Sequence, residues 1–171
     1  MKSISRQETI PVSYETDILV VGGGPAGLAA AFTAAKMGRS VMIVEQMNCL
    51  GGISTAGWHG HICNYNSWHD FTERVVGGTC YELAERLTKD GYATFNNRSL
   101  FFEVERMKYL LECMAKEFGG KLKILYYTQF SDVVVEDKKI QYVIIQNKSG
   151  RQAIKPEIVI DCTGDADVSA R

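Results

Sequence analysis

Short apolar runs and amphipathic stretches alternate along this chain and predict its secondary structure. Buried-type strands are indicated at Asp17–Val21 and Ser40–Val44, because both runs are apolar and rich in branched residues. The alanine-rich segment between them has the length of a three-turn helix and ends at Gly38, a typical helix C-terminus. A strand, a glycine turn, a helix and a second strand predict a βαβ unit with a right-handed crossover.

The rest of the chain predicts two helices and then a series of strands. Apolar residues three and four positions apart indicate helices at Thr79–Asp90 and Phe101–Phe118. Tight-turn sequences at Asp137–Lys139 and Lys148–Gly150 predict an antiparallel meander. The predicted strands are Leu122–Tyr127, Phe130–Glu136, Ile140–Gln146, Gln152–Lys155 and, after Pro156, Glu157–Asp161. Residues 46–78 lack periodicity, and so long an irregular segment is typical of a functional region.

Composition narrows the class of protein. The chain has 171 residues, 46% of them apolar, and a net charge of −1, which favours one folded domain and disfavours binding to nucleic acids or anionic membranes through bulk charge. No apolar run approaches the length of a membrane span. Residues 1–15 are interpreted as a polar leader without a secretory signal, and 16–171 as the folded domain. The five cysteines form no CxxC pair, so we expect free thiols and a cytoplasmic location.

A GxGxxG motif lies between the first strand and the first helix. Gly22 permits the turn, Gly24 lets a pyrophosphate approach the backbone, and Gly27 lets the helix pack on the strand. Pro25 stands early in the helix, where its missing N–H costs nothing. Glu45 ends the second strand, where a carboxylate can accept hydrogen bonds from both ribose hydroxyls of an adenosine and would repel a 2′-phosphate. The spacing therefore predicts a dinucleotide site.

Three ordered segments carry a resemblance to a known family: VVGGGPAG (20–27), EQMNCLGGISTAG (45–57) and VIDCTGDAD (159–167). With them the chain resembles FAD-dependent oxidoreductases of the glutathione-reductase-like FAD/NAD(P)-binding superfamily. Cys162 stands where alanine is usual and Ala166 where glycine is usual, and both residues are small. The resemblance implies an α/β, three-layer Rossmann-like domain, with helices on one face of a parallel sheet and an antiparallel meander on the other.

The resemblance also implies a role for each matching residue. The glycine turn would hold the FAD pyrophosphate, Gly51 and Gly52 would pass close to the ribityl–pyrophosphate region, and Phe130 would contact adenine through its backbone. Ser54 and Thr55 would lie near the flavin, while Thr163 and Gly164 would close over the cofactor with Asp165 nearby. The predicted cofactor-binding residues are Gly22, Gly24, Pro25, Ala26, Gly27, Glu45, Gln46, Gly51, Gly52, Ser54, Thr55, Phe130, Thr163, Gly164 and Asp165.

The expected function is the FAD-binding portion of an oxidoreductase that passes hydride or electrons between a small-molecule substrate and FAD. Relatives of this type continue past the third motif, so we expect the substrate domain and a further flavin-contacting segment to be absent here. Catalytic residues are therefore left unassigned, and no metal is expected. Two alternatives stay open: a non-catalytic nucleotide-binding or assembly subunit completed by a partner chain or by self-association, and an NAD-binding Rossmann protein.

The irregular segment and the chain that follows it contain weaker candidates for chemistry. His59, His61 and Cys63 alternate, which suits a metal site or a covalent flavin link, although we favour residues that line or cover the cofactor cleft. Three aromatic residues are candidates for stacking on a flavin, although capping a core edge is favoured: Trp58, Tyr65 and Trp68. Two arginines are candidates for binding an anionic substrate, although solvated positions are favoured: Arg74 and Arg98.

Overall fold

The βαβ unit predicted at the start of the chain is present in the computed structural model, which describes residues 3–5 and 7–171. Strand β1 (Val12–Val21) leads through the glycine turn into helix α1 (Pro25–Lys36), and strand β2 (Val41–Val44) pairs parallel to β1. Both strands are buried on both faces at their carboxyl ends, which explains their continuous apolar sequence.

The predicted polar leader is shorter than residues 1–15. Met1, Lys2 and Arg6 lie outside the described residues. Residues 12–15 belong to β1, and the preceding carbonyl of Pro11 accepts a 2.8 Å hydrogen bond from the amide of Ala153. The sequence did not predict this part of the strand, because residues 12–15 are mostly exposed and polar side chains dominate their outer face.

Six strands form the main sheet. To β1 and β2 it adds β6 (Leu122–Leu125), β7 (Gln129–Glu136), β8 (Lys139–Asn147) and β9 (Gly150–Asp161), in the order β6-β2-β1-β9-β8-β7. The first four strands in that order are parallel, while β8 and β7 are antiparallel. The β7–β8 turn has Asp137 and Lys138 at φ 49° and 62°, the geometry of a tight hairpin.

The last two predicted strands are one. Strand β9 runs through Pro156, which was expected to separate Gln152–Lys155 from Glu157–Asp161. Pairing with β8 ends at Ile154, whereas pairing with β1 continues to Asp161. Among the described residues, Pro156 therefore lies where β9 has a single neighbour, and a missing N–H is tolerated on such an edge.

The sheet separates two cores, which confirms the three-layer α/β class. Val20, Val41 and Ile43 face the helices, where Phe32 of α1 is fully buried. On the opposite face the alternate residues of β1 and β2 pack against β8 and β9, and this second core contains Leu19, Val21, Met42, Val44, Val143, Ile145 and Ile154. The meander thus covers one face of the sheet while staying hydrogen-bonded to it through β9.

The segment between β2 and β6 contains a small sheet that the sequence pattern did not reveal. Strands β3 (His61–Ile62), β4 (Ala93–Asn96) and β5 (Ser99–Phe102) are antiparallel in the order β3-β5-β4. Helix α2 (Gly78–Lys89) is close to its prediction, whereas α3 (Val104–Lys116) begins later than Phe101, because Phe101 and Phe102 belong to β5. Within the described chain every helix is too short or too polar to cross a bilayer.

Candidate cofactor-binding site

The turn from β1 into α1 requires glycine at two positions. Gly22 has φ 102°, and a β-carbon there would lie 2.3 Å from the carbonyl oxygen of Cys162. A β-carbon on Gly27 would lie 1.8 Å from the carbonyl oxygen of Gly22. The first position brings β1 against β9, and the second brings α1 against the turn, so both glycines allow the close packing on which the site depends.

A second glycine pair returns the chain to the same turn. The amide of Gly51 donates a 2.8 Å hydrogen bond to the carbonyl oxygen of Gly23. Gly52 has φ 53°, and its added β-carbon would lie 3.0 Å from the Cα of Gly24. Two bare backbones therefore come into close contact at the N-terminus of α1, and Gly24 and Gly52 both line the cleft beside it.

The N-terminus of α1 is open to an anion. The first helical hydrogen bond runs from the amide of Leu28 to the carbonyl of Gly24 at 2.9 Å, so the earlier N–H groups, those of Gly24, Ala26 and Gly27, have no acceptor within the helix. No side chain caps this terminus, and its first turn contains no acidic residue. Unpaired amides and the positive end of the helix dipole together favour a phosphate there.

Glu45 is held firmly at the end of β2. Its carboxylate is buried, with Oε2 accepting a 2.7 Å hydrogen bond from the amide of Gly23 and Oε1 accepting one of 2.7 Å from the amide of Met47. Each carboxylate oxygen can accept a further hydrogen bond. The acid therefore fixes the glycine turn and still offers acceptors to a pair of hydroxyls in the adjoining cleft.

The third motif closes the site through a hydrogen-bonded turn after β9. Asp161 Oδ1 accepts hydrogen bonds from the amide and hydroxyl of Thr163, at 3.1 and 2.8 Å. Asp161 Oδ2 accepts two from Ser169, both of 2.9 Å. Partial burial alone raises the pKa of Asp161, but the hydrogen bonds from Ser169 and Thr163 outweigh burial and lower that pKa below its usual value.

These segments enclose a cleft of about 860 Å³ at the carboxyl ends of β1, β2 and β9. Several of the predicted cofactor-binding residues line it: Gly22, Gly24, Pro25, Ala26, Glu45, Gln46, Gly52, Phe130, Thr163 and Gly164. The carboxyl edge of a parallel sheet is where such folds bind ligands. The cleft therefore brings together all three motifs that the sequence analysis identified.

The other predicted residues lie outside the cleft lining. Gly27 and Gly51 are packing positions, since added β-carbons there would meet Gly22 and the side chain of Thr55. Ser54 and Thr55 are buried, and the hydroxyl of Thr55 donates to the carbonyl oxygen of Leu50. Asp165 is exposed on the turn after β9. None of these residues lines the cleft, and the packed ones stand behind its wall.

Other cleft residues were missed by the sequence analysis. Thr128, Gln129 and Ser131 come from the chain that follows β6, and Met47 and Ile53 come from the glycine-rich segment after β2. Asp167 and Arg171 come from the turn after β9. One signal could have identified the residues that follow β6, which the sequence predicts as a strand. In a parallel sheet, the chain that leaves such a strand lies at the same edge as the glycine turn.

The histidine and cysteine residues of the irregular segment lie elsewhere. The ring of His61 stacks on Phe101 with centroids 4.4 Å apart, and the Sγ of Cys63 is 3.6 Å from Nε2 of His61. Neither these residues nor His59 lines the cleft. Within the described residues, no group of three or more His, Cys, Asp or Glu side chains is arranged to hold a metal ion.

The aromatic and arginine candidates also lie outside the cleft lining. Tyr65 is buried, and its hydroxyl donates a 3.0 Å hydrogen bond to the carbonyl oxygen of Cys80. Burial raises the pKa of Tyr65 to about 12. The guanidinium group of Arg98 lies over the ring of Trp68, and that of Arg74 lies over Tyr81. Arg74 thus makes a cation–π contact with α2, and Arg98 makes one with the irregular segment.

A parallel βαβ unit, an uncapped helix N-terminus between bare glycines and an acid at the end of the second strand together define a dinucleotide-binding domain. Comparison with known families specifies the class further. The profile described as FAD dependent oxidoreductase matches residues 17–171. The chain belongs to this family, which confirms the resemblance found in the sequence and makes FAD its cofactor.

The chain is also similar to individual proteins of known function. Thiamine thiazole synthase of Aeropyrum pernix is 30% identical over 168 residues, covering 91% of this chain and 57% of that protein. Digeranylgeranylglycerophospholipid reductase of Methanosarcina acetivorans is 27% identical over 160 residues, covering 86% of this chain and 37% of that protein. The chain thus spans little more than half the length of the first of these relatives, and less of the second.

A solved structure shares the fold. THI4 of Thermovibrio ammonificans superposes with a TM-score of 0.63 at 22% sequence identity, covering 91% of this chain and 60% of that one. At this identity the match establishes the architecture alone. The two chains therefore share one fold over most of this chain's length.

Proposed function

We propose that this chain binds FAD in the 860 Å³ cleft and forms part of an enzyme that transfers hydride or electrons between a small-molecule substrate and the flavin. The pyrophosphate lies at the N-terminus of α1, and the ribose of the adenosine lies against Glu45. FAD supplies the redox chemistry, while the protein supplies binding, orientation and electrostatics.

The observation that carries this proposal is the approach of Gly24 to Gly52 at the start of α1, where an added β-carbon on Gly52 would lie 3.0 Å from the Cα of Gly24. A side chain on Gly52 would press against Gly24, and a side chain on Gly24 would take up space in the cleft beside the open amides. Two glycines from separate segments, placed opposite each other at an anion-binding helix terminus, suit a diphosphate that must touch backbone.

Each remaining wall of the cleft has a matching part of the nucleotide. Glu45 accepts hydrogen bonds from the ribose hydroxyls, and Gln46 lies next to it on the rim. The backbone at Phe130 borders the adenine, and Thr163 and Gly164 close over the pyrophosphate. Ser54 and Thr55 act from behind the wall, because their side chains are buried. No side chain in the cleft is assigned as a catalytic acid or base.

Gly24→Ala tests the phosphate site directly. Gly24 has φ −71°, and its added β-carbon would come no closer than 4.0 Å to the Cα of Gly52, so the chain tolerates alanine while the cleft loses space. Gly77→Ala is the matched control, since Gly77 is the N-cap of α2, has φ −133°, and has open space around an added β-carbon. Both variants place alanine at a helix N-cap, so they share any cost to the helix.

The measurement is a fluorescence titration of wild type and both variants with FAD and, separately, with NAD. We expect FAD to bind the wild type more tightly than NAD does, and Gly24→Ala to weaken FAD binding by about tenfold or more, which corresponds to about 1.4 kcal/mol. Gly77→Ala keeps the wild-type affinity. Tighter binding of NAD, or equal FAD affinity in Gly24→Ala and wild type, contradicts the proposal.

We also infer that the protein acts in the cytoplasm and associates with a second copy or a complementing subunit. All five cysteines are free in the structure, and Cys49 is buried, which suits a reducing compartment. Several large apolar side chains are exposed, among them Ile53, which lines the cleft, and Trp58. Light scattering of the purified protein tests the association, and a monomer at all concentrations contradicts it.

A further inference from the structure

Tyr126 joins the segment after β6 to helix α3. Its hydroxyl donates a hydrogen bond to the carboxylate of Glu112, and both side chains are half-buried. The ring of Tyr126 packs against the core that lies between the sheet and the helices. Neither residue lines the cleft.

The segment that carries Tyr126 is hydrogen-bonded to the segment that carries Glu45. The amide of Glu45 donates to the carbonyl of Leu125 at 2.9 Å, and the amide of Thr128 donates back to the carbonyl of Glu45 at 3.0 Å. The amide of Tyr127 donates to the carbonyl of Met47 at 3.1 Å. Beyond Thr128 the chain forms the cleft wall at residues 129–131. The part of the cleft lined by Glu45 and residues 128–131, where the adenosine is proposed to bind, is called the adenosine half. A displacement of Tyr126 is therefore transmitted to both sides of the adenosine half of the cleft.

Helix α3 also supports the glycine wall of the same cleft. An added β-carbon on Gly51 would lie 2.9 Å from Cδ1 of Leu111, the residue next to Glu112. One turn of α3 thus contacts the Gly51–Gly52 segment through an apolar side chain and the segment after β6 through a hydrogen bond. The helix sets the distance between two cleft walls without touching the cleft itself.

The surroundings of Tyr126 keep its hydroxyl protonated. Burial raises the pKa of Tyr126, and the hydrogen bond to Glu112 raises it further, with the negative charge of Glu45 adding to the effect. Tyr126 therefore remains a protonated donor throughout the neutral range. Without its hydroxyl, the Glu112 carboxylate would lose a donor in a half-buried position, where charge is costly.

We propose that Tyr126, through its hydrogen bond to Glu112, is a positioning residue for the adenosine half of the cleft, so that it tunes the affinity for FAD over ligands that lack adenosine. This inference rests on the proposed binding of FAD. FMN is the suitable contrast, since it shares the flavin but has no adenosine to contact Glu45 and residues 128–131.

The test uses Tyr126→Phe and the neighbouring Tyr127→Phe as its matched control. Tyr127 is 65% exposed and does not line the cleft, so its variant changes the same chemical group without touching the bond to α3. Glu112→Gln keeps an acceptor oxygen for Tyr126, whereas Glu112→Ala removes it. Each full-length variant is titrated with FAD and with FMN, and amide hydrogen exchange is followed across the chain.

We expect Tyr126→Phe to raise the dissociation constant for FAD about three- to tenfold, the effect of losing one hydrogen bond, and to leave that for FMN within about twofold. Glu112→Ala matches it, Glu112→Gln stays near wild type, and combining Tyr126→Phe with Glu112→Ala adds no further loss. Amide exchange accelerates at residues 125–130 in Tyr126→Phe and stays unchanged in Tyr127→Phe.

Three results overturn the positioning role: an FAD affinity in Tyr126→Phe equal to wild type, an equal loss in Tyr127→Phe, or an exchange increase spread evenly over the chain. The last result shows a general stabilising role for Tyr126. Failure of the wild-type chain to bind FAD overturns the proposed function before the variants are compared. Wild-type binding of FAD combined with any of the three results overturns the role of Tyr126 alone.

Discussion

The Cα of Gly27 faces the carbonyl oxygen of Gly22 so closely that an added β-carbon would lie 1.8 Å from that oxygen. The same β-carbon would lie 3.3 Å from a methyl group of Val20, which is fully buried. The neighbouring atoms are thus a backbone oxygen and a core side chain, and neither can move aside freely. Helix α1 can approach β1 because residue 27 has no side chain.

Gly27→Ala is therefore expected to destabilise the fold even in the absence of nucleotide. Overpacking a rigid site costs about 1–3 kcal/mol or more, so the free energy of unfolding should fall by about 3 kcal/mol. Urea denaturation followed by circular dichroism measures the change. Gly120→Ala serves as the control, because open space surrounds an added β-carbon there. Equal stability of the two variants would show that α1 shifts without cost.

Glu45→Gln should destabilise the glycine turn. The two carboxylate oxygens accept hydrogen bonds from the amides of Gly23 and Met47, both at 2.7 Å. A glutamine offers one acceptor oxygen, and its NH₂ group would face the other amide. We expect the free energy of unfolding to fall by about 1–3 kcal/mol, the cost of an unsatisfied buried donor. The exposed Glu136→Gln is the control for the change of charge, and similar urea midpoints for both variants contradict the prediction.

Asp161 should make stability depend on pH. Because its pKa is lowered in the folded protein, the charged form stabilises the fold above the unfolded-state pKa, near 4, and this contribution is lost as the pH falls through the lowered folded value. Asp161→Asn should therefore be less stable than wild type at pH 7 and approach wild type once the pH falls below the lowered folded-state pKa. Urea midpoints across this range measure the difference. Asp165→Asn, an exposed change in the same turn, is the control for the loss of one negative charge, and an equal loss of stability in both variants at pH 7 contradicts the prediction.

Much of the architecture could be predicted because apolar runs and glycines were unambiguous. Val41–Val44 has four buried residues in a row, as its continuous apolar sequence predicts. Helix α1 begins at Pro25 and ends just before the glycine at 38, as these residues predict for its two ends. The small sheet was not predictable in the same way. His61–Ile62 is only two residues long, and the Phe101–Phe102 pair continues the apolar pattern of α3, so pairing across the chain decides its structure.

The residues of the site likewise fall into those that local sequence predicts and those that only the pairing of distant strands brings together. Gly22, Gly24 and Glu45 belong to a local motif with fixed spacing, and local spacing was enough to place them. Gln129 and Ser131 join the cleft because β6 is the parallel neighbour of β2, a relation between segments far apart in the chain. Tyr126 escaped notice because its partner Glu112 lies on another element, and nothing in either local sequence marks the pair.

The walls of the cleft come from segments that are far apart in the sequence, with Val21 and Arg171 among their residues. A nucleotide bound there would contact both the first βαβ unit and the turn that follows β9, and would hold the two together. At a hundredfold excess over its dissociation constant, such a ligand adds about 2.7 kcal/mol to the folded state. Loading with nucleotide should therefore protect the turn after β9 from proteases, because the ligand contacts that turn and the βαβ unit at once.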